Sequence, residues 1–172
     1  MDITDGSSVG DYRVRIGSQG GSTGEVTVDG GTWTWENAGL TVGQYGSGTL
    51  DIINGGMVSV AGFLCIDEDL DGNSFTNMAT GGRLALLGEA DDSLGSFLDL
   101  IDGTDAIRYW DTDLALWADI TTATYGDDYT MDYLTEGDLA GYTMLTVTTP
   151  IPEPAGLTLL ALAAAILLCR RS

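Results

Sequence analysis

Residues 40–60 read LTVGQYGSGTLDIINGGMVSV, and this stretch decides the fold. It contains three short runs, Leu40-Thr41-Val42, Leu50-Asp51-Ile52 and Val58-Ser59-Val60, in which side chains alternate about the chain. A period of two puts alternate residues on one face of a β-strand. Gly43, Gly46-Ser47-Gly48 and Asn54-Gly55-Gly56 separate the runs. Glycine and Asn-Gly are the residues that tight turns between strands demand.

The same pattern recurs on both sides. Leu40-Thr41-Val42-Gly43 matches Val14-Arg15-Ile16-Gly17 before it and Leu64-Cys65-Ile66-Asp67 after it. Gly55-Gly56-Met57-Val58-Ser59-Val60 matches Gly30-Gly31-Thr32-Trp33-Thr34-Trp35 and Gly81-Gly82-Arg83-Leu84-Ala85-Leu86. Val26 and Val28 correspond to Leu50 and Ile52, with Phe75 and Met78 as a looser third copy. The period is about 25 residues, the scale of a supersecondary repeat. Val14, Ile16, Leu40, Val42, Leu64 and Ile66 then share one face, with Arg15, Thr41 and Cys65 on the other. Trp33, Trp35, Val58, Val60, Leu84 and Leu86 point inward. One copy cannot bury its apolar face alone, whereas stacked copies can. The expected fold is therefore all-β: a short parallel β-solenoid of about three coils, favoured over a β-sandwich because equivalent positions repeat in type.

After Leu87 the period breaks. Asp91 or Asp92 is placed to cap a short helix whose apolar positions Leu94, Phe97, Leu98 and Ile101 follow helical spacing. That helix is expected to plug the end of the solenoid. Strands follow at about 106–110, 116–120, 129–134 and 142–148. The division is solenoid repeats over 1–88, a helix and β-rich cap over 89–149, and a tail over 150–172.

The tail is Pro152-Glu153-Pro154, an uncharged apolar run to Cys169, and Arg170-Arg171. The run is apolar all round any helix drawn through it, so the expectation is a single C-terminal transmembrane helix, with a buried helix as the alternative. Fifteen residues rise only about 22 Å, against a bilayer core of about 30 Å.

At these residues the tail resembles the PEP-CTERM sorting signal, which joins a Pro-Glu-Pro motif, a short membrane helix and a basic C-terminus. The repeat resembles the autotransporter and PEP-CTERM-associated repeat, through Val42-Gly43, Gly46-Ser47-Gly48-Thr49-Leu50, Asn54-Gly55-Gly56 and Val58-Ser59-Val60. The first resemblance implies recognition by an exosortase, a membrane cysteine-protease-like enzyme. It also implies removal of the tail and association with an exopolysaccharide or biofilm matrix. Pro152, Glu153, Pro154, Arg170 and Arg171 would then be recognition residues. The implied location is the inner membrane in transit, then the cell surface or extracellular matrix. Met1-Asp2-Ile3-Thr4-Asp5-Gly6 has neither a basic segment nor an apolar run, so a truncated form of a longer exported protein is expected.

Composition narrows the chemistry. Among 172 residues there are 26 acids, six arginines, no lysine and no histidine, for a net charge of −20. That balance disfavours nucleic acid as a partner and suits divalent cations or a saline exterior. Without histidine there is no Ser-His-Asp triad and no His-ligated metal. Cys65 and Cys169 form no disulfide framework, and Cys65 reads as a small apolar filler.

Three groups of residues remain as candidate sites. Asp67-x-Asp69-x-Asp71-Gly72-Asn73 has the spacing of the first ligands of a calcium loop, but Met78 stands where a bidentate Glu would be. It reads either as a structural turn or as a weak Ca2+ site, the one cofactor the sequence suggests. Asp91-Asp92, Asp127-Asp128 and Glu136 with Asp138 could serve glycoside chemistry, but read as solvated surface. Tyr109, Trp110, Trp117 and Tyr133 are either core or a sugar-stacking platform. The functional expectation is a non-enzymatic surface protein of the extracellular matrix, with an adhesin or carbohydrate-binding module as the alternative.

Overall fold

The computed structural model describes residues 2–4, 13–35, 39–70, 72–90 and 93–151. It is 51% strand and 6% helix. A short strand, β1 (Asp2–Thr4), comes first. Three copies of a three-strand unit follow. The first is β2 (Val14–Ile16), β3 (Thr23–Asp29) and β4 (Thr32–Trp35). The second is β5 (Leu40–Val42), β6 (Ser47–Ile53) and β7 (Met57–Val60). The third is β8 (Leu64–Ile66), β9 (Phe75–Met78) and β10 (Gly82–Leu87).

Corresponding strands of successive copies pair in parallel. Val14 lies opposite Leu40, and Leu40 opposite Leu64. Val28 lies opposite Ile52, and Ile52 opposite Met78. Trp33 lies opposite Val58, and Val58 opposite Leu84. The inward residues of the three sheets meet in one core, where Leu50, Ile52, Val58, Val60 and Leu84 are fully buried.

One inward column departs from the expected alignment. Leu50 pairs with Thr76, not Phe75. Phe75 and Met78 are three residues apart and cannot share a face of a strand with period two. Thr76 therefore points inward and is completely buried, while Phe75 sits on the outer face under the Arg108 guanidinium, 3.1 Å from the ring centroid. Thr41 and Cys65, expected on the outer face, are nevertheless buried. They occupy the middle of the column Arg15–Thr41–Cys65–Asp102, where neighbouring strands about 4.8 Å away cover a small side chain.

Beyond Leu87 come α1 (Leu94–Leu98), β11 (Ile101–Gly103), β12 (Ile107–Asp111), β13 (Leu116–Asp119), a 3-10 turn over Ile120–Thr122, β14 (Tyr129–Leu134) and β15 (Tyr142–Val147). The cap of α1 is Ser93, whose Oγ accepts the Ser96 N–H at 3.1 Å. The expected capping residues Asp91 and Asp92 lie outside the described residues. Phe97 and Leu98 of α1 join the core. The sheet edge on β10 is taken by β15, which runs antiparallel from Gly82 opposite Val147 to Leu87 opposite Tyr142.

This reversal corrects the expected fold class. A closed parallel β-solenoid needs every sheet to continue in one direction. Here the strands form three sheets, of six, five and four strands, and only the four-stranded one is parallel throughout. The first two are mixed, because β13 adds antiparallel to β12, and β15 and β14 add antiparallel beyond β10. The protein is all-β, but it is not a closed β-helix. The expected C-terminal transmembrane helix is corrected as well. No helix among the described residues is long and apolar enough to cross a membrane. Fifteen apolar residues also fall short of a bilayer core of about 30 Å. The segment on which that helix was placed lies outside the described residues.

The copies are held at their corners by repeated backbone bonds. The Gly43 N–H donates to Ile16 O at 2.7 Å, and the Asp67 N–H donates to Val42 O at 2.7 Å. Gly43 has φ +76°, and a Cβ there would lie 1.8 Å from Ser74 Oγ. Gly55 has φ +77° with open space around it. Gly55→Ala should therefore lose about 1–2 kcal/mol, the strain of a left-handed backbone alone. Gly43→Ala adds a clash with a packed neighbour and should lose roughly 2–5 kcal/mol. Urea denaturation of the two variants checks this, and equal losses would contradict the tight corner at Gly43.

Candidate functional site

The acidic loop is built from the third corner. Asp67 holds the place taken by Gly17 and Gly43 in the earlier copies, and it keeps their left-handed backbone at φ +58°. Asp and Asn tolerate this region better than other residues with a side chain. Its carboxylate turns back over its own loop: Oδ2 accepts the Gly72 N–H at 2.8 Å. The Leu70 N–H donates to Asp67 O at 2.9 Å, closing the turn. Asp67 is fully buried, and its Oδ1 has no hydrogen-bond partner. Asp69 and Asn73 are exposed, and Asp71 lies outside the described residues. Met78, at the place of the missing bidentate ligand, is completely buried in the core. Among the described residues there is no group of three or more His, Cys, Asp or Glu side chains set to hold a metal.

Beside this corner lies a groove of about 390 Å3 lined by Arg13, Phe63, Cys65, Glu68, Asp102 and Gly103. The Arg13 guanidinium covers one face of the Phe63 ring at 4.7 Å. A Cβ at Gly39 would fall 2.2 Å from the same ring, so backbone and ring pack closely. Burial pushes the Cys65 thiol up to about 11, and the charges of Glu68 and Asp102 add to the shift. The thiol stays mostly protonated at neutral pH, which lowers its reactivity. A second cavity, about 360 Å3, opens where the copies begin and is lined by apolar residues including Ile16, Trp33 and Trp35.

The aromatic group is dispersed. Tyr109 points into the core. Trp110 and Trp117 face each other across β12 and β13, edge to face at 5.4 Å. Tyr133 stands on β14, in a different sheet. The four do not make one platform; only the two tryptophans are brought together. Of the paired acids, Asp128 is a turn acceptor, its Oδ2 taking the Thr124 N–H at 2.8 Å. Asp127, Glu136 and Asp138 are exposed, and Asp91 and Asp92 are not among the described residues. Pro152, Glu153, Pro154, Arg170 and Arg171 also lie outside them.

The structure adds a polar ladder on the outer face of the first sheet. Asn54 Nδ2 donates to Asp29 Oδ1 at 2.8 Å, and Asn77 Nδ2 donates to Asp51 Oδ1 at 2.9 Å. Asp51 pairs with Asn77, Asn77 with Arg108, and Arg108 with Asp119. The signal was present in the sequence: each Asp–Asn pair is one repeat apart, 25 and 26 residues.

Comparison of the chain with family models, with curated proteins and with solved structures returns no match.

Burial raises the Asp51 carboxyl above its ordinary 3.8; the Asn77 hydrogen bond opposes the shift and the charge of Glu25 adds to it. A raised carboxyl contributes stability that is full below its unfolded value and is lost as pH rises through the folded one. At pH 7 ionised Asp51 therefore weakens the fold. Asp51→Asn removes the charge and keeps an acceptor for Asn77. It should melt higher than the parent at pH 7, with the advantage vanishing by about pH 3. An advantage that does not change with pH would sink this account of Asp51.

Proposed function

We propose that this chain is a non-enzymatic surface protein, processed by an exosortase and displayed in or on an exopolysaccharide or biofilm matrix. The observation that carries the proposal is the ordered tail, Pro152-Glu153-Pro154, an uncharged run and Arg170-Arg171. The described residues next to that tail support it by how they are held. The Thr80 N–H donates to Thr149 O at 2.7 Å, and the Ile151 N–H donates to Thr80 Oγ1 at 3.1 Å. The chain is thus pinned to the body up to the residue before the Pro-Glu-Pro motif, which suits a signal that is cut away without disturbing the fold. The net charge of −20 favours a hydrated exterior and opposes nucleic acid as a partner. Calcium-bridged acidic polymers are compatible with such a surface.

A carbohydrate-binding adhesin is the second reading, favoured by the Trp110–Trp117 pair on the outer face of its hairpin. The two separate experimentally. Expressed with an export signal in a host that has the matching exosortase, the surface-associated chain should end between Pro152 and Ala155 by intact mass. Changing Glu153 or both arginines should abolish that product. An uncut C-terminus in the parent would overturn the sorting proposal. Glycan-array binding by the parent that is lost in Trp117→Ala would instead favour the adhesin.

A further inference from the structure

We propose that the corner at Asp67 is a calcium site. The proposal rests on the orphaned oxygen, and not on the run of acids around it. Asp67 is fully buried, yet its carboxylate receives only one hydrogen bond, from Gly72 N–H to Oδ2. Oδ1 of the same carboxylate has no partner among the described residues. A buried carboxylate with an unsatisfied oxygen is unstable unless a cation or a proton compensates it. Among the described residues, nothing hydrogen-bonds to Oδ1. Of the described arginines, Arg83 donates to Gly55 O, and Arg13 and Arg108 lie over Phe63 and Phe75.

A hard cation fits what remains. Calcium takes six to eight oxygens in irregular geometry and accepts water and main-chain carbonyls among them. Asp67 supplies the fixed, charged ligand. Asp69, on the exposed side of the same turn, supplies a second, and turn carbonyls and water complete the shell. Magnesium is a poorer fit, because it demands near-octahedral ligands that a turn with one fixed carboxylate does not preset. With so few charged ligands, the affinity belongs to the weak range of extracellular calcium modules, roughly 10⁻⁴–10⁻³ M.

The earlier copies supply the control. Gly17 and Gly43 occupy the equivalent corner with φ +69° and +76°. Asp67→Gly restores the repeat's own residue at a left-handed position and removes only the carboxylate. Thermal unfolding of the full chain is followed in EDTA, in 10 mM CaCl2 and in 10 mM MgCl2 at matched ionic strength. The parent should gain about 3–10 °C in calcium, saturably, and clearly less in magnesium. Asp67→Gly should melt at or above the parent in EDTA and gain nothing from calcium. Asp67→Asn, which keeps an acceptor for Gly72 but no charge, should need at least tenfold more calcium for the same shift. A calcium gain that Asp67→Gly retains, or that magnesium reproduces in the parent, would be screening of the acidic surface and overturns the proposal. So does the absence of any gain in the parent.

Discussion

Every copy of the repeat turns on a left-handed corner, and in the first two copies the backbone there passes within touching distance of its neighbour. Gly43 shows the constraint most clearly. Its amide donates to Ile16 O in the copy before it, while the space where a side chain would begin is filled by Ser74 Oγ from the copy after it. That Ser74 hydroxyl is itself fixed, because it accepts the Gly48 N–H at 3.0 Å. The corner therefore sets the spacing of three successive copies at once. With the spacing set, Val14, Leu40 and Leu64 fall opposite one another, as do Trp33, Val58 and Leu84. Burial of the inward columns follows from that register, since a slip of one residue would turn every apolar side chain outward.

The outer face obeys the same register in polar terms. Adjacent strands bring a carboxylate beside an amide at Asp29–Asn54 and Asp51–Asn77, and an arginine beside an aspartate at Arg108–Asp119. In a chain with so few cations, Arg13, Arg83 and Arg108 are committed to specific neighbours. Burial lowers the Arg108 guanidinium below its ordinary value, and Asp119 partly restores it. Arg15 stands at the last strand of its sheet, in the column whose inner members are Thr41 and Cys65. A charge at an edge strand discourages pairing with another chain, whereas the inner positions need small side chains that can be covered.

Much of this was legible in the sequence, and the rest was not, for identifiable reasons. The repeat named the partners across the sheets because register and sequence period are the same quantity here. It misled at Phe75, where size suggested an inward residue although its distance from Met78 is odd. The end of the repeat was visible at Leu87, but the direction of the chain beyond it was not. Alternating residues at Tyr129–Leu134 and Tyr142–Val147 announce strands without saying whether they run parallel or antiparallel. That ambiguity led to a closed coil where mixed sheets exist. The acidic loop was legible as a turn. The burial of Asp67 was not, because a run of acids reads as solvated surface until the neighbouring copies close over it. The aromatic residues were countable, but only the hairpin brings Trp110 and Trp117 together, and Tyr109 and Tyr133 go elsewhere.

The central claim is the register that joins the copies, and it is open to a direct measurement at Cys65. Thr41 lies opposite Cys65 on the adjacent parallel strand. Strands in a sheet are about 4.8 Å apart, within the Cα separation a disulfide accepts. In a Cys169→Ala background, Thr41→Cys should form an intramolecular disulfide with Cys65 under mild oxidation, found by mass and peptide mapping. Thr34→Cys, on β4 in another sheet, should not. A disulfide joining position 41 to Cys65 in the folded protein is the predicted result. No bond, or one formed equally well from position 34, would contradict the register on which the whole account stands.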